Sequence, residues 1–301
     1  MKGDTMRTFW IVYDEEQYKI NGWFADRLTE LLKANFDAKL VLTSHLAAGV
    51  SDGRVEFTYK KVKTAGPDFA CVRTIDPFLS RVLELSGARV FNPAGISAIA
   101  NDKRLSYAVA AAAGVRVADT FFEIRNSKAG PADFLGEDAF PLVAKAASGH
   151  GGKQVEAVEN RREFAAAKRR AAGKDKMLAQ RFVPAGTSDV RVYVLGGSIF
   201  KAVRRVSGDG FKSNYSLGGS AEPYELTKDE ENAVMKIVSA LGTVPDFVGI
   251  DFFPDVHGPV FNEIEDVAGT RMLYSVYGID AAKVYADYMT KQALGGLPGR
   301  T

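Results

Sequence analysis

Phe247-Val248-Gly249-Ile250-Asp251-Phe252-Phe253, then Pro254-Asp255-Val256-His257-Gly258, then Pro259-Val260-Phe261-Asn262-Glu263-Ile264-Glu265, is the stretch on which the reading of this chain turns. The outer runs are rich in β-branched and aromatic residues and read as strands. The middle run is turn chemistry. A hairpin centred near His257 sets Asp251 opposite Glu263, and the two-residue period puts Glu263 and Glu265 on one face. Three carboxylates then converge. Gly249 leaves room beside them for a ligand. Bare burial of three acids costs several kcal/mol, which a divalent cation would remove. An all-oxygen ligand set selects a hard ion, Mg²⁺ or Mn²⁺. The alternative is a solvated sheet face with ordinary acids, and the apolar neighbours of Asp251 argue against it.

Upstream, Thr227-Lys228-Asp229-Glu230 is a capping box ahead of Val234, Ile237, Val238 and Leu241, a structural helix. Asp189-Val190-Arg191-Val192-Tyr193-Val194 alternates strictly, with Asp189 and Arg191 on one face. Leu195-Gly196-Gly197-Ser198 can turn the chain into a strand ending in Arg204-Arg205. Paired arginines suit phosphate or carboxylate recognition, with surface solubility as the competing role. Residues 207–220 hold four glycines and four serines around Phe211-Lys212-Ser213-Asn214, the composition of a loop that orders over a substrate.

Further upstream, Phe140-Pro141-Leu142-Val143-Ala144-Lys145-Ala146 is an apolar strand with one lysine. Ser148-Gly149-His150-Gly151-Gly152-Lys153 follows, a glycine-rich loop whose N–H groups can cradle phosphate oxygens. It is not a Walker A loop, since Gln154 follows Lys153 and a strand comes next. A hairpin loop beside a snorkelling lysine is the competing reading. Met177-Leu178-Ala179-Gln180-Arg181-Phe182-Val183 is another strand, ended by Pro184.

The first ninety or so residues alternate strand and helix patterns, as an α/β unit does. Residues 8–13, 39–43 and 68–72 read as strands. Phe24, Leu28, Leu31 and Leu32 mark one helix; Phe78, Val82 and Leu85 mark a second, closed by Gly87. Asn92-Pro93 is a natural boundary. Residues 93–114 read as a linking helical segment.

The chain has 301 residues, with 39 Lys+Arg against 37 Asp+Glu. That balance excludes a whole-chain nucleic-acid or membrane binder. The basic run 161–176 reads as a solvated helix face. Cys71 is the single cysteine, so no intramolecular disulfide and no cysteine zinc site exist. His45, His150 and His257 lack metal-ligand spacing. No signal peptide or membrane-spanning run is visible, so a cytoplasmic location is expected.

In this order the motifs resemble the ATP-grasp superfamily, and its RimK-like carboxylate–amine ligases most of all. They run from Asn101-Asp102-Lys103 through the Lys145 strand, its glycine loop and the Gln180–Val183 hinge to Asp251 and Glu263. The resemblance covers residues 90–290 or so. It implies a mixed α/β (α+β) fold: a small Rossmann-like α/β domain over residues 1–92, then an ATP-grasp domain over 93–301. A small lid subdomain would span 115–185 and a large one 186–290.

The resemblance also implies roles. ATP would lie between two antiparallel sheets. Lys103 and Lys145 would bind its phosphates, and the loop with Ser148, Gly151 and Gly152 would close over them. Gln180, Arg181, Phe182 and Val183 would hold adenine. Asp189 would reach the ribose, and Lys212 and Asn214 the phosphates and metal shell. Asp251, Glu263 and Glu265 would hold two Mg²⁺ (or Mn²⁺) ions. Arg204 and Arg205 would stabilise charge during transfer. Arg73, Arg191 and Arg271 are candidates for a substrate carboxylate.

The implied activity is ATP-dependent amide formation through an acylphosphate, with a small-molecule or peptide acid and an amine as partners. A phosphotransferase of the same fold, or an ATP-binding regulatory protein without turnover, are the alternatives. A homo-oligomer is left open. The chain departs from the family pattern at Glu265, where asparagine is usual, and at Arg181, where glutamate is usual. The extra acid would tighten metal binding or favour Mn²⁺.

Overall fold

The computed structural model describes residues 6–148, 155–171, 176–183, 188–206 and 220–295. By contacts the chain divides into two compact units. The first is Met1–Ala98, Pro245–Phe247 and Asp266–Thr301; the second is Ile99–Val244 and Val248–Glu265. The carboxy-terminal segment thus groups with the amino-terminal residues, whereas the sequence pattern alone keeps 93–301 together.

The first unit opens with β1 (Thr8–Tyr13) and α1 (Glu15–Leu32), then β2 (Asp37–Leu42). Asp14 caps α1, its carboxylate accepting from the Gln17 N–H. A meander of β3 (Leu46–Ser51), β4 (Arg54–Tyr59) and β5 (Val62–Thr64) follows, then β6 (Phe69–Val72), α2 (Pro77–Leu85), β7 (Arg89–Phe91) and α3 (Ala94–Ala100). The main sheet runs β2-β1-β6-β7 and is parallel throughout. Strands of such a sheet are covered on both faces and carry continuous apolar runs, as Phe9-Trp10-Ile11-Val12 does.

Two details differ from the sequence expectation. The meander is an addition to it and forms its own three-stranded sheet. Helix α2 is present where expected, but its buried face is the other one. It buries Leu79 and Leu83 against Trp10, Val72 and Phe57, leaving Phe78 and Leu85 exposed.

The second unit holds α4 (Lys103–Ala112), β8 (Thr120–Phe122), α5 (Pro131–Leu135), β9 (Leu142–Ala146), β10 (Val155–Val158), α6 (Arg161–Arg170) and β11 (Met177–Arg181). After these come β12 (Ser188–Leu195), β13 (Ser198–Val206), β14 (Ser220–Pro223), α7 (Lys228–Ala240), β15 (Phe247–Phe253) and β16 (Val260–Glu265). They build two sheets, β10-β9-β11-β8 and β14-β13-β12-β15-β16. The β12–β13 turn places Gly196 and Gly197 at φ 58° and 75°. A Cβ on Gly197 would also stand 2.9 Å from Val244 Cγ1, so glycine is required there twice over.

Helices α8 (Arg271–Tyr277) and α9 (Ala281–Gly295) return to the first unit, where α9 packs on α1. Gly278 closes α8 in the left-handed conformation. Among the described residues no helix is long and apolar enough to cross a membrane.

Candidate active site

Strands β15 and β16 pair antiparallel, with Asp251 opposite Glu263 and Gly249 opposite Glu265. One carboxylate oxygen from each of Asp251, Glu263 and Glu265 lies within 4.8 Å of the other two. The hairpin register expected from the sequence is therefore present, and the three acids meet.

They are not bare. Arg191, on β12, donates from Nε and Nη2 to both oxygens of Asp251, at 2.8 and 2.7 Å. Its Nη2 also stands 2.6 Å from Glu265 Oε1. Arg205, on β13, donates from Nη2 to Asp251 Oδ2 at 2.7 Å and from Nε to Asp189 Oδ1 at 2.6 Å. Lys103 Nζ donates to Glu263 Oε1 at 2.9 Å. Four carboxylates interleave with three cations, leaving one excess negative charge.

Burial alone would raise the Asp251 carboxyl, but Arg191 and Arg205 outweigh it and hold the group at about 2. Burial raises Asp189 despite Arg205. Burial also raises Glu265: Arg191 lowers it, yet Asp251 and Glu263 push the same way as burial. The donor set is all oxygen and keeps an excess negative charge, so it fits a hard divalent cation.

Lys103 opens α4, whose cap is Asp102. Its backbone N–H donates to Ala147 O at 2.9 Å, joining the helix start to the end of β9. Lys145 lies buried on β9, donating to Tyr107 Oη at 3.0 Å and Gln180 Oε1 at 2.7 Å. Gln180 Nε2 in turn donates to Thr120 Oγ1. Lys145 thus has neutral acceptors, and no carboxylate among the described residues lies within ion-pairing distance of it. A buried ammonium so placed favours an incoming anion.

At the hinge, the Arg181 N–H donates to Asp119 O, and its guanidinium turns to Leu135 O and the Asp119 carboxylate. Phe182 is exposed and Val183 half-buried. Ser148 is exposed just beyond β9. Arg204 and Arg205 point to opposite faces of β13: Arg205 is buried with the acids, whereas Arg204 is exposed and reaches Ser188 Oγ at 3.4 Å. Arg73 and Arg271 belong to the first unit, Arg73 buried after β6 and Arg271 exposed at the start of α8. Gly151, Gly152, Lys212 and Asn214 lie outside the described residues. A cavity of 830 Å³ lined by Arg116, Lys236 and His257 lies at the turn end of the hairpin and takes in none of the acids.

Sequence reasoning misses two parts of this arrangement. Tyr107 and the Gln180 side chain hold Lys145, and the two arginines cage Asp251. A signal for the cage exists: Asp189 and Arg191 share one face of the strongly apolar strand β12, and buried charges need partners.

The family model described as a RimK-like ATP-grasp domain matches residues 100–289. The chain is 30% identical over 217 residues to a protein named "Probable alpha-L-glutamate ligase" from Thioalkalivibrio sulfidiphilus, covering 71% of each. It resembles the crystal structure of a RimK domain ATP-grasp protein from Sphaerobacter thermophilus with a TM-score of 0.68 and 21% identity, over 94% of this chain and 99% of that one. For the VanG D-Ala:D-Ser ligase from Enterococcus faecalis the TM-score is 0.74 at 18% identity, over 96% and 100%. At those identities the two structures speak for the fold.

Proposed function

The chain belongs to the RimK-like ATP-grasp family and is a ligase of the kind that forms C–N bonds, and from that premise we propose that it joins an acid to an amine through an acylphosphate. The observation that carries this reading is the meeting of Asp251, Glu263 and Glu265 beside Lys103. The name of the Thioalkalivibrio relative suggests an α-amino acid, glutamate or one like it, as one substrate.

In the first step a carboxylate oxygen attacks the γ-phosphorus of ATP, and ADP leaves. In the second the amine attacks the acyl carbon, inorganic phosphate leaves, and the nitrogen loses a proton. Mg²⁺ or Mn²⁺ bound at the three acids would supply neutralisation of phosphate charge. Lys145 and Lys103 bind and orient phosphate oxygens as point charges. Arg191 and Arg205 hold the Asp251 carboxylate ionised and fixed in direction, so the acid set needs no reorganisation when the nucleotide arrives. The Gln180–Val183 segment receives the adenine, and Asp189, released from Arg205 or shared with it, the ribose. No covalent group on the protein is needed; positioning and electrostatics suffice.

The test is ADP release in a screen of amino acids and peptides, with and without hydroxylamine. A hydroxamate identifies the acylphosphate. ADP without hydroxamate means phosphotransfer, and nucleotide binding without turnover means a regulatory protein; either result displaces amide formation as the activity.

A further inference from the structure

Arg73 is a buried cation without an ionic partner among the described residues. It is 6% exposed, and among the described residues no carboxylate forms an ion pair with it. Its Nη2 donates to the carbonyl of Ala268 at 3.0 Å, and its guanidinium lies over the Phe24 ring at 5.2 Å. Its Nε is buried without a hydrogen-bond partner, and the buried Tyr13 hydroxyl stands beside the guanidinium. The other groups facing it are the Cys71 thiol and the Tyr285 phenol. Burial pushes the first up to about 11 and the second well above its ordinary value, so both are neutral at pH 7.

A buried guanidinium among neutral groups costs several kcal/mol unless an anion joins it. Its place in the fold points the same way. Tyr13 and Arg73 stand at the carboxyl ends of β1 and β6, adjacent parallel strands from which the sheet grows outward in both directions. In open parallel sheets that switch point is where ligands bind. Arg73 also grips the loop that begins at Asp266, the residue after Glu265.

We propose that Arg73 and Tyr13 form a carboxylate subsite in the first unit, holding the carboxylate of an amino-acid substrate of the ligase. The guanidinium fork supplies Nε and a terminal nitrogen to one carboxylate, and the Tyr13 hydroxyl donates a further hydrogen bond. The identification of this carboxylate as a substrate's rests on the ligase reading; the subsite itself does not.

The experiment uses the full chain, labelled with ¹⁵N-arginine, and L-glutamate as the probe. The Arg73 Nε–H resonance is assigned by its loss in Arg73→Lys. L-Glutamate should shift it saturably, and calorimetry should give a Kd about 10- to 100-fold weaker in Arg73→Gln. Arg73→Lys should recover part of that loss, and the affinity for a non-hydrolysable ATP analogue should stay within about twofold in all three proteins. An unmoved resonance, no L-glutamate binding by the wild type, or equal losses for glutamate and nucleotide would each overturn the subsite; the last makes Arg73 a prop for the loop. Arg73-dependent glutamate binding without ADP release would instead sink the ligase reading and leave the subsite standing.

Discussion

Replacing Asp251 with asparagine removes one charge from the centre of the acid–arginine array while keeping its size. The carboxylate is 2% exposed and accepts from Arg191 twice and Arg205 once. Its folded value of about 2, against an ordinary 3.8, corresponds to about 2 to 3 kcal/mol. Removing one partner from a buried pair costs about 3–5 kcal/mol, because the remaining charges lose their compensation. Both routes put the loss near 3 kcal/mol at pH 7, measured by urea unfolding. The folded value is depressed, so the ionic contribution is complete above 3.8 and fades as pH falls towards 2. The difference between wild type and Asp251→Asn should therefore narrow when both are unfolded at pH 5, 4 and 3. A difference below about 0.5 kcal/mol at pH 7, the range of ordinary surface changes, would refute the claim that the arginines are held by this acid. So would a gap that widens on acidification.

Glu263→Gln keeps an acceptor for Lys103 but loses the negative charge, so ADP release should fall by about 100-fold or more while the urea midpoint stays near the wild type. Full activity in that variant would remove the metal assignment. Lys145→Ala should weaken nucleotide binding by about 10- to 100-fold in a direct titration, because a buried ammonium with only neutral acceptors is lost. An unchanged Kd would place the phosphates elsewhere. Burial raises the Cys71 thiol to about 11, so iodoacetamide should fail to label the native protein at pH 8 and label it readily in urea. Rapid native labelling, followed by mass spectrometry, would contradict the packing around β6.

The acid hairpin is legible because it is local. Composition marks both strands, the turn is short, and a period of two fixes which side chains meet, so Asp251 and Glu263 can be paired from residue order alone. The cage cannot be read that way. Arg191 stands sixty positions before Asp251, and only the strand order β13-β12-β15 makes them neighbours. Alternation separates Arg204 from Arg205, yet reading them as a pair hides that one is buried and the other exposed. The meander carries a signal of its own: Asp52-Gly53 between alternating residues is a strong hairpin mark, and both residues adopt positive φ. The face of α2 is ambiguous because Phe78, Leu79, Val82, Leu83 and Leu85 spread over a broad apolar sector, and tertiary packing chooses Leu79 and Leu83.

The first unit is assembled from both ends of the chain, and that orders events during synthesis. Translation proceeds at about 5–20 residues per second, so Trp10 and its strand leave the ribosome long before Tyr285 and Met289, which close over the same unit. Everything needed for the acid hairpin emerges in between. All of the second unit is thus synthesised before α8 and α9, which belong to the first. For the same reason, trimming the tail before Ala281 would remove the helix that packs on α1 instead of merely shortening an end.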